Sequence, residues 1–366
     1  MRTLDNYLLR EIAVPFTVGL GLFFVVVAFA QVLKVSDAVT GLGITGGEIL
    51  VALLYSLPPL LGLLIPVSLL FATLLGIGRV SSDREVIAMS AAGVSPYRLL
   101  RVPTALGLLL ALVCAIALAE GEPWGIRGLR QLMAASAQRS LAAGVRVGEF
   151  NEWVPGVTFL AKSQVGKDLF DVVFADRRDQ RRPILISARR GRIGTGERPQ
   201  DIVFDLYDGA IVLHDDDSSM VRVLHFEKSL YRLDVQNLVT GKLRTATSLQ
   251  EESLWQLWDE SQDETRSSSE RAFRTITLNR KLALPVATLL FALLAVPLAA
   301  RPLGGARARG FLYSAGIVGA YYYLGRAVEL AARRDSFDPT LAAWLPNLIG
   351  LTALVILLVR LPRSAA

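Results

Sequence analysis

ILVALLYSLPPLLGLLIPVSLLFATLLGIG, residues 49–78, carries no charged side chain and is too long and too apolar for a helix in a soluble core. A bilayer core of about 30 Å is crossed by about 20 apolar residues in a helix. Pro58, Pro59 and Pro66 each remove a backbone donor, so the stretch reads as a kinked or tilted span. Five other runs meet the same length and polarity test: 14–33, 102–119, 282–300, 310–330 and 341–359. The expectation is a polytopic α-helical membrane protein with six transmembrane helices. Composition agrees, since 52% of the 366 residues are hydrophobic, 20% are charged and the mean hydropathy is +0.43.

Charge orients the chain. If the N-terminus is inside, the inner ends collect Arg2, Arg10, Arg79, Arg84, Arg98, Arg101, Arg301, Arg307, Arg309, Arg360 and Arg363. The short outer loops hold only Lys34, Arg333 and Arg334. Both termini are thus expected in the cytoplasm and the long middle region outside. The net charge of +6 fits loops near anionic lipid, and no interleaving of aromatic and basic residues suggests nucleic acid. The first apolar run is too long for the core of a cleavable signal peptide, so it is expected to remain as a helix. Residues 1–11 place Leu4, Tyr7 and Leu8 against Asp5, Arg10 and Glu11 at helical spacing. They read equally as a helix lying in the inner interface or as a plain extension of span one.

Between 120 and 279 the period of the pattern changes from helical to two. Short alternating runs occupy 145–150, 157–161, 170–175, 184–188, 202–207, 211–213, 220–226 and 230–235, with turn signals such as Asp208-Gly209 between them. This pattern predicts a sandwich or jelly roll inserted between spans three and four. Residues 121–140 read as helix or connector. Residues 250–274 return to polar, helix-like character, with 261–270 read as a mobile connector. The domains are thus an N-terminal membrane half (1–119), the β-rich region (120–279) and a C-terminal membrane half (280–366). Cys114 is the only cysteine, so the β region must fold on its core without a disulfide.

No catalytic set is visible. His214 and His225 lack ligand spacing, and Asp215-Asp216-Asp217 reads as a hairpin tip more readily than as a cation site. There is no phosphate-binding loop for ATP. The expectation is a protein that is not an enzyme and has no metal or cofactor of its own. Arg326 and Glu329 are placed to pair on one helix face.

RVSSDREVIAMSAAGV, residues 79–94, lies between spans two and three. Ser82 and Glu85 match a capping box and Gly93 a helix stop, which gives a short helix at about 82–92. One reading is an ordinary connector. The other is a helix that docks on a separate ATPase, with Val86, Met89 and Ala92 entering a groove and Asp83, Arg84 and Glu85 at its rim.

The segment 79–100, RVSSDREVIAMSAAGVSPYRLL, resembles the cytoplasmic loop of the LptF/LptG (YjgP/YjgQ) permease family. LDNYLLREIAVPF (4–16), GFLYSAGIVGAYYYLGRAVELA (310–331) and FDPTLAAWLPNLIG (337–350) are similar to it as well. GEPWGIRGL, VRVGEF and LFDVVFADRR look more like the F subunit than the G subunit. The resemblance implies a permease subunit of an ABC transporter that extracts lipopolysaccharide from the outer leaflet of the bacterial inner membrane. It implies a periplasmic β-jellyroll and these partners: a G-like second permease, a cytoplasmic LptB-like ATPase dimer that binds the ATP, a bitopic LptC-like protein and an LptA-like periplasmic bridge. It also places on Glu85 the family's ATPase-contacting glutamate.

Lys34, Arg280 and Lys281 stand at outer membrane ends against the overall charge trend. They read either as snorkelling anchors or as a basic rim for lipid phosphates, and the family favours Lys34 for the latter. Gly316, Gly319 and Ala320 make span five thin, which suits close packing. The resemblance makes spans one and five the walls of a lipid gate. The alternative to a transporter is a membrane scaffold whose β domain binds an envelope partner. Six kinked spans and a docking helix exceed what an anchor needs.

Overall fold

A computed structural model describes residues 2–42, 45–142, 147–154, 156–166, 168–177, 183–195, 201–215, 218–234, 249–263, 265–300, 306–333 and 336–360. They form two compact units. One comprises Met1–Ala28, Ser56–Gly125 and Leu249–Ala366; the other comprises Phe29–Tyr55 and Ile126–Ser248.

The helices of the first half are α1 (Arg2–Leu42), α2 (Gly46–Ser82), α3 (Glu85–Ala91), α4 (Arg101–Ile116) and α5 (Glu122–Ala142). A 3₁₀ turn (Pro96–Leu100) leads into α4, and a π-helical turn (Ala117–Gly121) joins α4 to α5. The second half holds α6 (Leu254–Gln262), α7 (Ser268–Ala299), α8 (Ala306–Ala332) and α9 (Pro339–Val359). Among the described residues, five helical stretches are long and apolar enough to cross a bilayer: Thr3–Ala30, Gly46–Ser82, Tyr97–Met133, Ser268–Ala299 and Pro339–Val359. The expected span 310–330 folds as helix within α8 but is not among these five, so five of the six expected spans are found among the described residues. Pro58, Pro59 and Pro66 lie inside the continuous α2. The expected end of span three at 119 is overridden, because the π turn carries the helix on into α5.

In the first unit, Leu8 and Ile12 of α1 are fully buried against Leu69, Ile77 and Val80 of α2 and Leu99 before α4. The approach is close, since a Cβ on Gly76 would strike the Glu11 carbonyl. A second tight contact sets the π turn against α2, where Gly62 leaves room for Leu118 and Gly121 for Pro58. In the region 261–270, read as a mobile connector, 261–262 end α6 and 268–270 begin α7. Ser253 forms a capping box with Gln256 at the start of α6, and the Ser267 hydroxyl accepts from the Glu270 amide at the start of α7. Residues 268–279 form the first turns of α7, continuous with the apolar run that follows.

The second unit contains a single six-stranded antiparallel sheet: β1 (Asn151–Val154), β2 (Val157–Val165), β3 (Asp168–Asp176), β4 (Ile184–Thr195), β5 (Asp201–Asp215) and β6 (Ser218–Asp234). Its strand order is β1-β2-β3-β4-β5-β6. The jelly-roll expectation is therefore corrected. A jelly roll needs crossing connections, whereas these strands are joined by short links and pair with their sequence neighbours.

The sheet nevertheless makes a sandwich with itself. Regular pairing skips one row across five strands: Lys162, Asp171, Arg189, Asp208 and Glu227. Asp171 and Asp208 adopt positive φ, 50° and 52°. Across the row the inward parity slips by one residue. Val172 and Phe174 face inward on one side of Asp171 and Leu169 on the other; Phe204 and Leu206 face inward before Asp208 and Ile211 after it. The register is unbroken across the row, so no residue is inserted; the chain creases there and re-aims the side chains that follow. Phe159 of β2 and Phe204 of β5 have ring centroids 5.5 Å apart, and Phe174 of β3 and Tyr231 of β6 are 4.6 Å apart. In a flat sheet, strands three places apart are separated by about 14 Å. The sheet is folded along the skipped row, and these rings fill the fold. Tyr231 closes it by donating to Asp176 at 2.6 Å.

Candidate functional site

Two polar constellations stand out in the first unit. One surrounds α3. The expected capping box does not form there: α2 runs on through Ser82, Arg84 takes the N-cap position in the left-handed region (φ 58°), and it makes no side-chain cap. Glu85 instead accepts a hydrogen bond from Tyr7 of α1 at 3.2 Å. Glu11 of α1 pairs with Arg79 at 3.3 Å and Asp5 with Arg98 at 3.8 Å, so three contacts tie the foot of α1 to the segment 79–98. Gly93 ends α3 at φ 79°, with the Val94 amide reaching the Met89 carbonyl and the Gly93 amide the Ser90 carbonyl.

Val86 and Met89, expected to face a partner, are half-buried against the cluster of Leu8, Ile12 and Leu99. The open face of α3 is formed by Ile87, 54% exposed, with Ala88, Ala91 and Ala92. Asp83 and Arg84 remain exposed beside it. Sequence reasoning missed Tyr7 and Glu11. The signal was available, because α1 begins with a tyrosine and two acids and the segment 79–98 carries arginines to match them.

The other constellation lines a cavity of about 350 Å³ whose walls include Glu122, Arg280, Lys281, Tyr321, Tyr322 and Glu329. Lys281 was expected on an outer rim. It is only 3% exposed, its Nζ lying 3.4 Å from Glu122 and donating to the carbonyls of Gln250 (3.1 Å) and Glu252 (3.3 Å). A buried ammonium needs this many partners, because desolvation would otherwise exceed the gain from one ion pair. Arg280 lines the same cavity and makes no hydrogen bond or ion pair among the described residues. Glu329 is shared by Arg326 (3.2 Å) and Arg333, and Arg333 stacks over Phe273 at 4.2 Å. Asn347 braces the wall, accepting from Tyr321 at 3.1 Å and donating to the Ala283 carbonyl at 2.9 Å. Beyond the spans, burial raises the Glu252 carboxyl above its usual range while Arg274 opposes the shift. Hydrogen bonds from Thr265 lower Asp263.

Glu122 escaped the sequence reading because it falls beyond the expected end of span three. The pairing of an acid just after one span with a lysine just before another was the clue. Gly316, Gly319 and Ala320 lie on an exposed face of α8, where a Cβ on either glycine would meet open space. That face packs on no described residue of this chain. Lys34 is part of α1, and its side chain lies outside the described residues. Among the described residues no group of three or more histidine, cysteine or acidic side chains is placed to hold a metal.

The family model for the lipopolysaccharide export system permease LptF/LptG matches residues 6–360. The chain belongs to this family. Its relatives include the lipopolysaccharide export system permease protein LptF of Escherichia coli strain K12, of Escherichia coli O157:H7 and of Shigella flexneri. Each is 23% identical over 363 residues, which covers 96% of this chain and 93% of the relative. Membership in the LptF/LptG family and the five apolar spans together make this a multi-pass membrane permease of lipopolysaccharide export, a transport component and not itself an enzyme.

Proposed function

We propose that this chain is the F-like permease subunit of an ABC transporter that takes lipopolysaccharide from the outer leaflet of the inner membrane and passes it to a periplasmic β bridge. The family match over nearly the whole chain carries the reading. On this reading both termini are cytoplasmic, the folded sheet is periplasmic, and ATP is bound and hydrolysed by an LptB-like dimer. A G-like permease, an LptC-like helix and an LptA-like bridge complete the assembly.

Two features of the geometry support the roles. The open Ile87–Ala88–Ala91–Ala92 face of α3 is apolar and small, flanked by Asp83 and Arg84, which suits docking into a groove of the ATPase. Glu85 then acts from the side, held by Tyr7. Arg280 offers a guanidinium to a polyanionic lipid headgroup, and guanidinium binds phosphate bidentately. Lys281 supports this wall from within and does not contact lipid. Lys34 belongs to the basic rim on this reading, and the open face at Gly316, Gly319 and Ala320 forms one wall of the gate against a second chain.

The test is purification of the complex from cells. An ATPase and lipopolysaccharide should copurify with the chain, and the complex should hydrolyse ATP. A reporter fused after Ala366 should be cytoplasmic and one inserted at Gly196 periplasmic. A stable complex with neither ATPase nor lipid would leave a scaffold as the better reading.

A further inference from the structure

α6 turns two indoles away from the protein. Trp255 is 83% exposed and Trp258 57%. Three residues apart on a helix, they lie about 60° from one another around the axis. Leu257, fully buried, occupies the opposite face, packed with Leu249, Leu254, Phe273 and Leu278. The helix is firmly placed. Its capping box fixes the start, Arg274 of α7 donates to Glu260 at 2.8 Å, and Arg266 reaches Glu260 at 3.0 Å. Two large apolar rings held rigidly in water would forfeit the burial that makes tryptophan worth its size.

The position along α7 indicates what covers them. The uncharged apolar run of α7 begins at Leu282, directly after Arg280 and Lys281. α6 packs on Leu278 and Phe273, which lie about 6–14 Å along the axis from that start at 1.5 Å per residue. The headgroup region begins at the edge of the hydrocarbon core and is about 5–8 Å deep on each side. Tryptophan is enriched in this layer because its ring is apolar and its N–H is polar.

We propose that α6 is an interfacial foot, lying along the membrane surface where α7 enters, with Trp255 and Trp258 seated among phospholipid headgroups. Residues 254–262 contain no lysine or arginine and do contain Asp259 and Glu260, so the attraction is apolar and indole-based rather than directed at anionic lipid. The foot anchors the strand of chain just before α6, whose Gln250 and Glu252 carbonyls hold Lys281. This inference needs only that α7 spans a membrane and is independent of the transported lipid.

The test uses the full chain in phosphatidylcholine nanodiscs, compared with the W255F/W258F variant. Both side chains are exposed, so the variant should fold. The difference in emission reports the two indoles out of five tryptophans. It should be quenched by lipid brominated near the headgroup end of the acyl chain, should resist aqueous iodide, and should be unchanged by added anionic lipid or salt. Quenching by iodide without quenching by bromolipid would place the indoles in water. Protection from both would place them under protein. Either result overturns the proposal.

Discussion

The hydroxyl of Tyr7 donates to Glu85 Oε1 across 3.2 Å, joining the foot of α1 to the first residue of α3. Glu85 thus serves neither as a cap nor as a free rim charge, and its two roles can be separated by mutation. Tyr7→Phe removes one partly exposed hydrogen bond, worth about 0.5–1.5 kcal/mol, and leaves the carboxylate available. Glu85→Ala removes both. If Glu85 contacts the ATPase, Glu85→Ala lowers ATPase copurification and lipid export well beyond Tyr7→Phe. Equal effects would mean that Glu85 acts only through α1. Membrane insertion, read by topology reporters, should be intact in both.

Glu122 and Lys281 form a buried ion pair in the first unit. Removing one partner strands the other, a loss of about 3–5 kcal/mol in buried pairs. Glu122→Gln and Lys281→Met should each lower the melting temperature of the purified protein. The double variant should recover part of the loss, although the Gln250 and Glu252 carbonyls remain unfilled. A loss in the double variant equal to the sum of the two single losses would show that Glu122 and Lys281 are not coupled as a pair.

How much of this was legible follows from which residues carry a local signal. Long apolar runs announce themselves by composition, and so five spans lie where expected. The helices outrun the apolar runs at both places, because polar residues continue a helix without extending its apolar run: the π turn carries α4 into α5 beyond Ala119, and α7 begins at Ser268, before the apolar run. In the sheet, β5 and β6 were each read as two strands, broken at Asp208-Gly209 and between Phe226 and Leu230. Those breaks are real as a slip of parity at Asp208 and Glu227, but the chain bends there and does not turn back. Whether such a slip is a loop or a crease depends on neighbouring strands, which a linear pattern does not contain. The inward packing of Val86 and Met89 was illegible for a similar reason: a seven-residue helix has two usable faces, and the foot of α1 decides which is covered.

The glycines divide by surroundings. A Cβ at Gly76 would strike the Glu11 carbonyl, so Gly76→Ala should force α1 from α2 and reduce thermal stability measurably. Gly316→Ala meets open space, and alanine is favoured over glycine in a helix by up to about 1 kcal/mol. The single chain should therefore tolerate Gly316→Ala or gain stability. If this face of α8 closes against a second permease or the transported lipid, Gly316→Leu should impair export while the melting temperature of the isolated chain holds. Normal export with Gly316→Leu would remove this face from the gate.

Lys34 lies on α1, which continues as helix to Leu42. A charge-assisted contact with a lipid phosphate is worth about 1.5–3 kcal/mol before solvent exposure and side-chain ordering reduce it. Substitutions separate attraction from packing: Lys34→Ala removes the attraction, whereas Lys34→Asp adds repulsion against phosphate. Lipid loading, measured as lipopolysaccharide retained by the purified complex, should fall with Ala and fall further with Asp. Lys34→Arg should retain most of it. Higher salt should weaken the wild type toward the Ala level, since a contact near the surface is screened within about 10 Å at 0.1 M. Photocrosslinking from position 34 gives the direct reading. If probes elsewhere on α1 and α8 capture lipopolysaccharide while a probe at 34 captures none, Lys34 is an interfacial anchor and the basic rim rests on Arg280 alone.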